Sequence, residues 1–215
     1  MDYQRLYEYR FRDVDQGART AVWQPIAEFM HEQMGRPECV LDPAAGRGEF
    51  INAVPAAERW AVDQVAYAEG TYEPGVKSVV SDIFEAELPE DHFGGIFVSN
   101  FLEHLLSQEA TAEFLTRMRR VTARDGRIVV MGPNIRYCAR QYWDMADHTL
   151  AYTHRAIAEH IYAAGYEVER VVPQFLPYSF TGRLPPSPTL LARYLQMPIA
   201  WRLLGKQFLV IGRRP

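Results

Sequence analysis

The chain has 215 residues, 48% of them hydrophobic, which is enough for one domain with a sizeable buried core. Its formal net charge of −4 argues against a nucleic-acid-binding surface, which needs a basic face. Two cysteines, Cys39 and Cys138, suggest no disulfide framework, and no apolar run approaches the ~18 residues of a membrane span.

The amino terminus, Met1-Asp2-Tyr3-Gln4-Arg5, is polar and has no signal-peptide apolar region, so the expected location is cytoplasmic. Residues 2 to 12 alternate aromatic and basic side chains, as expected of a packing arm or of a flap over a ligand. From Gln16 to Met34, Val22, Ile26, Phe29-Met30 and Gln33-Met34 recur at helical spacing, and Gly35 and Pro37 supply the stop. Residues 1–36 therefore read as a helical cap leading into a first strand, Glu38 to Leu41.

That strand ends in Asp42, followed by the small-residue turn Pro43-Ala44-Ala45-Gly46-Arg47-Gly48 and a short helix up to Pro55. A turn without bulky side chains lets a ligand approach the backbone closely. In an α/β sheet such a turn lies at the carboxyl ends of the strands, where ligands bind. A dinucleotide fingerprint would need a third glycine where Ile51 stands. A carboxylate before the glycines suits instead a cofactor with cationic groups and no pyrophosphate, such as S-adenosyl-L-methionine.

The second strand, Arg59 to Asp63, again ends in an acid, with Gln64 beside it. Asp63 lies where the second βα unit of a nucleotide site presents a carboxylate to a ribose diol. The segment 64–75 is too short and too rich in Gly and Pro for a full helix. Val76 to Val80 is the third strand, and the Ser81-Asp82-Ile83 that follows it suits an adenine edge and ring. Gly95 to Asn100 is the fourth strand; Asn100, Phe101 and His104 fall beyond its end.

Thr111 to Val121 is an amphipathic helix, and Arg119, Arg120 and their basic neighbours at its end suit the carboxyl-terminal dipole. Asp125-Gly126 turns into a strand from Arg127 to Met131, closed by Gly132-Pro133-Asn134. Tyr137 to His148 is expected to be irregular, Thr153 to Ala164 helical, and Tyr166 to Val172 a strand. Residues 173–204 carry six prolines and are expected to wander before a last strand, Gln207 to Gly212. Their apolar residues would cap the sheet edge, with a homodimer contact or a membrane-surface helix as alternatives.

The order of elements and loop acids resembles the class I S-adenosylmethionine-dependent methyltransferases over nearly the whole chain. Val40-Leu41-Asp42 with Gly46 and Gly48 is similar to the first cofactor motif, although Ala44 stands where the family usually has a glycine. Asp63 is similar to the ribose acid, Ser81-Asp82-Ile83 to the adenine segment, and Ser99 to Leu105 to the motif after strand four. The late pattern, Asp125-Gly126-Arg127-Ile128 and then Gly165-Tyr166-Glu167-Val168, fits as well. The resemblance implies a Rossmann-like α/β fold. Its seven-stranded sheet is mostly parallel, with helices on both faces and an antiparallel last strand. Residues 1–215 then form a single methyltransferase domain. The turn also resembles amino-methylating DNA methyltransferases. Those carry Pro-Pro and an aromatic after strand four, where this chain reads Asn100-Phe101-Leu102-Glu103.

Pro133 to Tyr137, Tyr142-Trp143-Asp144, Asp147-His148 and Phe175 to Tyr178 are similar to a bacterial subgroup of polysaccharide or secondary-metabolite clusters. That likeness implies a small-molecule or carbohydrate acceptor and O-methylation. A hydroxyl acceptor needs a base, and His148, beside Asp147, and His104 are the candidates. Asn134, Tyr142, Trp143 and Asp147 are the candidate acceptor contacts. Asp144, Asp147 and His148 match no strong metal signature, so no metal is expected. The rival readings are a catalytically silent S-adenosylmethionine-binding regulator or scaffold, and a nicotinamide dehydrogenase; Ile51 and Asp42 weigh against the latter.

Overall fold

A computed structural model describes residues 3–10, 12, 16–178 and 187–215. Seven strands form one sheet in the order β3-β2-β1-β4-β5-β7-β6. They are β1 (Cys39–Asp42), β2 (Glu58–Asp63), β3 (Val76–Val80), β4 (Phe93–Ser99), β5 (Thr122–Pro133), β6 (Glu167–Val172) and β7 (Gln207–Arg213). The first five run parallel, and β7 is antiparallel to both β5 and β6. This is the Rossmann-like methyltransferase arrangement. The strand order reverses between β1 and β4, and their carboxyl ends border the crevice in which such sheets bind ligands.

The central strand β4 is apolar without alternation; Phe93, Ile96, Phe97 and Val98 are all buried, as a strand covered on both faces requires. On one face lie α4 (Gln108–Val121) and α6 (His154–Ala163), which contribute Phe114, Leu115, Met118, Ile157 and Ile161. Ser107 and Thr153 cap these helices by accepting backbone N–H bonds. On the other face, α2 (Gln16–Gln33) and α3 (Glu49–Ala53) bring Ile26, Met30, Phe50 and Ile51 against Phe97. Phe50 and Phe97 meet with ring centroids 4.3 Å apart. The amino-terminal helix α1 (Tyr3–Arg10) precedes them.

Two expectations change. Tyr137 to His148 is helical in its first half, as α5 (Ile135–Tyr142), with Asn134 as its N-cap and a kink at Cys138. The Pro-rich stretch contains α7 (Pro188–Leu195) and α8 (Pro198–Leu204), each with proline in its first turn. Proline's fixed φ and missing N–H suit that position, so these prolines start helices rather than prevent them. Pro185 and Pro186 lie outside the described residues. Among the described residues no helix is long and apolar enough to cross a membrane.

Candidate active site

The β1–α3 turn is held by hydrogen bonds from its neighbours. The Ala45 N–H donates to the Val62 carbonyl (3.0 Å) and the Gly46 N–H to Asp63 Oδ2 (2.8 Å). The Tyr72 hydroxyl donates to the Gly46 carbonyl (3.0 Å). Gly46 and Gly48 both have positive φ, 53° and 78°, a region that side-chain-bearing residues rarely enter. They differ in what surrounds them. A Cβ on Gly46 would meet nothing within 4 Å, whereas one on Gly48 would stand 2.9 Å from Asn52 Nδ2 and Tyr72 Cδ1. Gly46 leaves open space beside the backbone; Gly48 makes room for packing.

That space belongs to a cavity of about 540 Å³ at the carboxyl ends of β1 to β4. Asp42, Ala44, Gly46, Asp63, Gln64, Ser81, Asp82, Ile83, Asn100, Phe101 and His104 all line it. The reason is topological: each ends or follows a strand of the parallel run, so the sheet gathers them at one end. Asp42 is buried, and among the described residues its Oδ1 accepts only a long bond (3.3 Å) from the Ala44 N–H. Burial pushes its carboxyl up to about 8; the Ala44 N–H opposes this, and the charges of Asp63 and Glu49 add to it. Asp63 is raised too, by burial, against bonds from the Val65 and Gly46 N–H groups. Asp82 Oδ1 accepts from the Phe84 N–H (2.9 Å).

Arg10, Arg19 and Trp23, from α1 and α2, complete the wall and were not singled out as site residues from sequence. The alternation of aromatic and basic side chains over residues 2 to 12 was the signal for Arg10; Arg19 and Trp23 lie outside it, on α2. Arg19 pairs with Glu49 (2.7 Å), the first residue of α3.

Beyond β4, Leu102–His104 form one 3-10 turn. His104 Nδ1 lies 3.0 Å from the Asp147 carbonyl oxygen and 3.5 Å from Asp147 Oδ2. Asp147 is buried and also pairs with Arg10. Burial opposes its ionisation, but the Arg10 hydrogen bond and the His104 and Arg10 charges hold its carboxyl below the usual value. His148 stands behind His104, with ring centroids 5.1 Å apart, and is not part of the cavity wall. Burial, followed by the His104 charge, pushes its imidazole down to about 4, so it is neutral at physiological pH.

The other candidates lie off the cavity wall. The buried Asn134 amide donates to the Pro173 carbonyl (2.8 Å) and meets His154 Nδ1 (2.9 Å), while its Oδ1 caps α5. The Tyr142 hydroxyl donates to the Leu150 carbonyl (2.6 Å), and Trp143 is exposed. Glu103 is buried near Tyr142, and burial raises its carboxyl.

Residues 41–130 match the methyltransferase domain family. That segment carries the family match, and the chain as a whole has the fold of the S-adenosylmethionine-dependent methyltransferases. No curated protein matches it in sequence. Among solved structures, this methyltransferase is similar in fold to a SAM-dependent methyltransferase from Archaeoglobus fulgidus, with 20% identity and a TM-score of 0.65. That match covers 99% of this chain and 100% of the other. The 1,6-didemethyltoxoflavin-N1-methyltransferase of Burkholderia thailandensis, solved with its acceptor and S-adenosylhomocysteine, is 19% identical at TM-score 0.59. It covers 99% of this chain and 89% of its own. The N-methyltransferase NodS of Bradyrhizobium japonicum, in complex with S-adenosylhomocysteine, is 17% identical at TM-score 0.60, with 86% and 85% covered.

Proposed function

We propose that this methyltransferase acts on a hydroxyl of a small molecule or glycan, bound at the His104 end of the cavity. S-adenosylmethionine, the family's cofactor, supplies an electrophilic methyl group on a sulfonium. The residues present fit it: Gly46 opens the backbone to close approach, and Asp42 is a buried carboxyl with no cation paired to it among the described residues. Asp42 would face the cofactor's cationic end, Asp63 its ribose, and Asp82 with Ile83 its adenine.

The observation that carries the choice of a hydroxyl is His104, which lines the cavity and is fixed by Asp147. A carbonyl oxygen only accepts hydrogen bonds, so Nδ1 carries a proton, and in the neutral ring Nε2 keeps the lone pair. A neutral amine needs only alignment, whereas a hydroxyl must lose its proton, and an oriented imidazole serves that need. His148 then acts through His104 and does not touch the acceptor.

The test is mass-spectrometric detection of methyl transfer over a panel of phenols, sugars and amines. We expect methylated hydroxyls, with turnover lowered on the order of 10²–10⁴ in His104→Ala. Methylation of amines alone would support N-methylation instead, and no product over the whole panel would favour a silent binding protein.

A further inference from the structure

Three side chains with metal-ligand chemistry converge next to the cavity. Glu103 and His104 come from the 3-10 turn after β4, and His148 from the loop after α5. One ligand atom from each lies within 4.8 Å of the others. Metal–ligand bonds of about 2.1 Å set neighbouring ligands roughly 3 Å apart, so small side-chain movements would close the group on an ion.

The protonation pattern gives an independent sign. His104 holds its proton on Nδ1, bonded to the Asp147 carbonyl at 3.0 Å, with the buried Asp147 carboxylate 3.5 Å away. This is the outer support that orients metal-binding imidazoles, and it leaves Nε2 as the ligand atom. In His148, Nδ1 is buried and has no hydrogen-bond partner among the described residues. In the neutral tautomer with its proton on Nε2, that Nδ1 lone pair is free for an ion. Glu103 adds a carboxyl that is only 3% exposed. Two imidazoles and a carboxyl thus stand within reach of one ion.

We propose that Glu103, His104 and His148 bind a divalent first-row transition ion at the acceptor end of the cavity. Two imidazoles with one carboxylate suit manganese, iron, cobalt, nickel or zinc better than magnesium or calcium. Three protein ligands leave positions open for acceptor oxygens, whose hydroxyl pKa the ion would lower. With the ion bound, His104 Nε2 is a ligand and not a base, so the ion's effect on the hydroxyl replaces the proton removal given to His104 above. That role rests on the methyl-transfer reading, whereas the binding of the ion does not. A second grouping, Cys39, Glu58 and His92, is the natural competitor. Its carboxylate is already engaged, since Glu58 Oε1 accepts from Trp60 Nε1 (2.8 Å) and Lys77 Nζ (2.6 Å).

The experiment titrates metal-stripped full-length protein with Co²⁺, read by visible ligand-field absorption, and with Zn²⁺, read by calorimetry. The expected result is saturable binding that weakens about tenfold or more in Glu103→Gln and in His148→Asn. His92→Ala should leave it unchanged. S-adenosylhomocysteine-induced thermal stabilisation, measured on the same samples, confirms that each variant is folded. If Glu103→Gln does not fold, His148→Asn decides. Absence of binding by the wild type, unchanged affinity in His148→Asn, or loss of binding in His92→Ala would each overturn the site. Ion binding by a wild type that S-adenosylhomocysteine does not stabilise would leave the ion site standing and remove the reading of its role.

Discussion

Asp42 concentrates the physical chemistry of the site in one residue. Its carboxyl is moved from the ordinary 3.8 to about 8, chiefly by burial. The folded protein therefore keeps a proton that the unfolded chain releases above 3.8, and its stability falls as pH rises through that window. Asp42→Asn, which cannot ionise, should flatten this decline and melt above the wild type on the alkaline side. A cationic ligand beside Asp42 favours the ionised form, so S-adenosylhomocysteine, through its ammonium, should bind wild type more tightly as pH rises towards about 8. The Asp42→Asn variant should lose that trend. Melting curves and calorimetry between about pH 5 and 9 check both; parallel curves for the two proteins would remove Asp42 from this role. At this scale the strand-end residues were legible in the sequence, because each follows an apolar run that ends in a polar side chain. Asn134, Tyr142 and Trp143 were not, since an amide and two aromatic rings serve packing and binding equally well; the Asn134 amide is used up inside the fold.

Among the elements, α1 has the least evident purpose in sequence and a specific one in the structure. Its last residue, Arg10, lines the cavity and pairs with buried Asp147, which in turn holds His104. The partners are 137 residues apart, a separation that no local pattern encodes. Removing Arg10 leaves a buried carboxylate without its cation. In a double-mutant cycle of Arg10→Ala with Asp147→Asn, denaturant unfolding should give a coupling of about 1–3 kcal/mol. Additive effects would mean that α1 merely rests on the surface. The helices of the 173–204 stretch were hidden for a different reason. Proline count signals broken structure in general, yet Pro188 and Pro198 stand at first-turn positions where proline starts a helix.

The whole molecule is organised by the reversal of strand order between β1 and β4, which collects the loops after four parallel strands around one cavity. This much followed from the sequence, because apolar runs ending in Asp42, Asp63, Ser81-Asp82 and Ser99-Asn100 recur in the order such a sheet needs. The amino-terminal part of the cavity wall did not follow, since it depends on how α1 and α2 pack across the sheet. The central claim is that this cavity is built for S-adenosylmethionine and not for a dinucleotide. It is tested most directly by the melting temperature of the purified protein with S-adenosylhomocysteine, NAD and NADP in turn. A ligand that binds only the native state at about 100 times its Kd adds roughly 2.7 kcal/mol. S-adenosylhomocysteine should therefore raise the melting temperature by several degrees and the dinucleotides should not; stabilisation by NAD with none from S-adenosylhomocysteine would contradict the account.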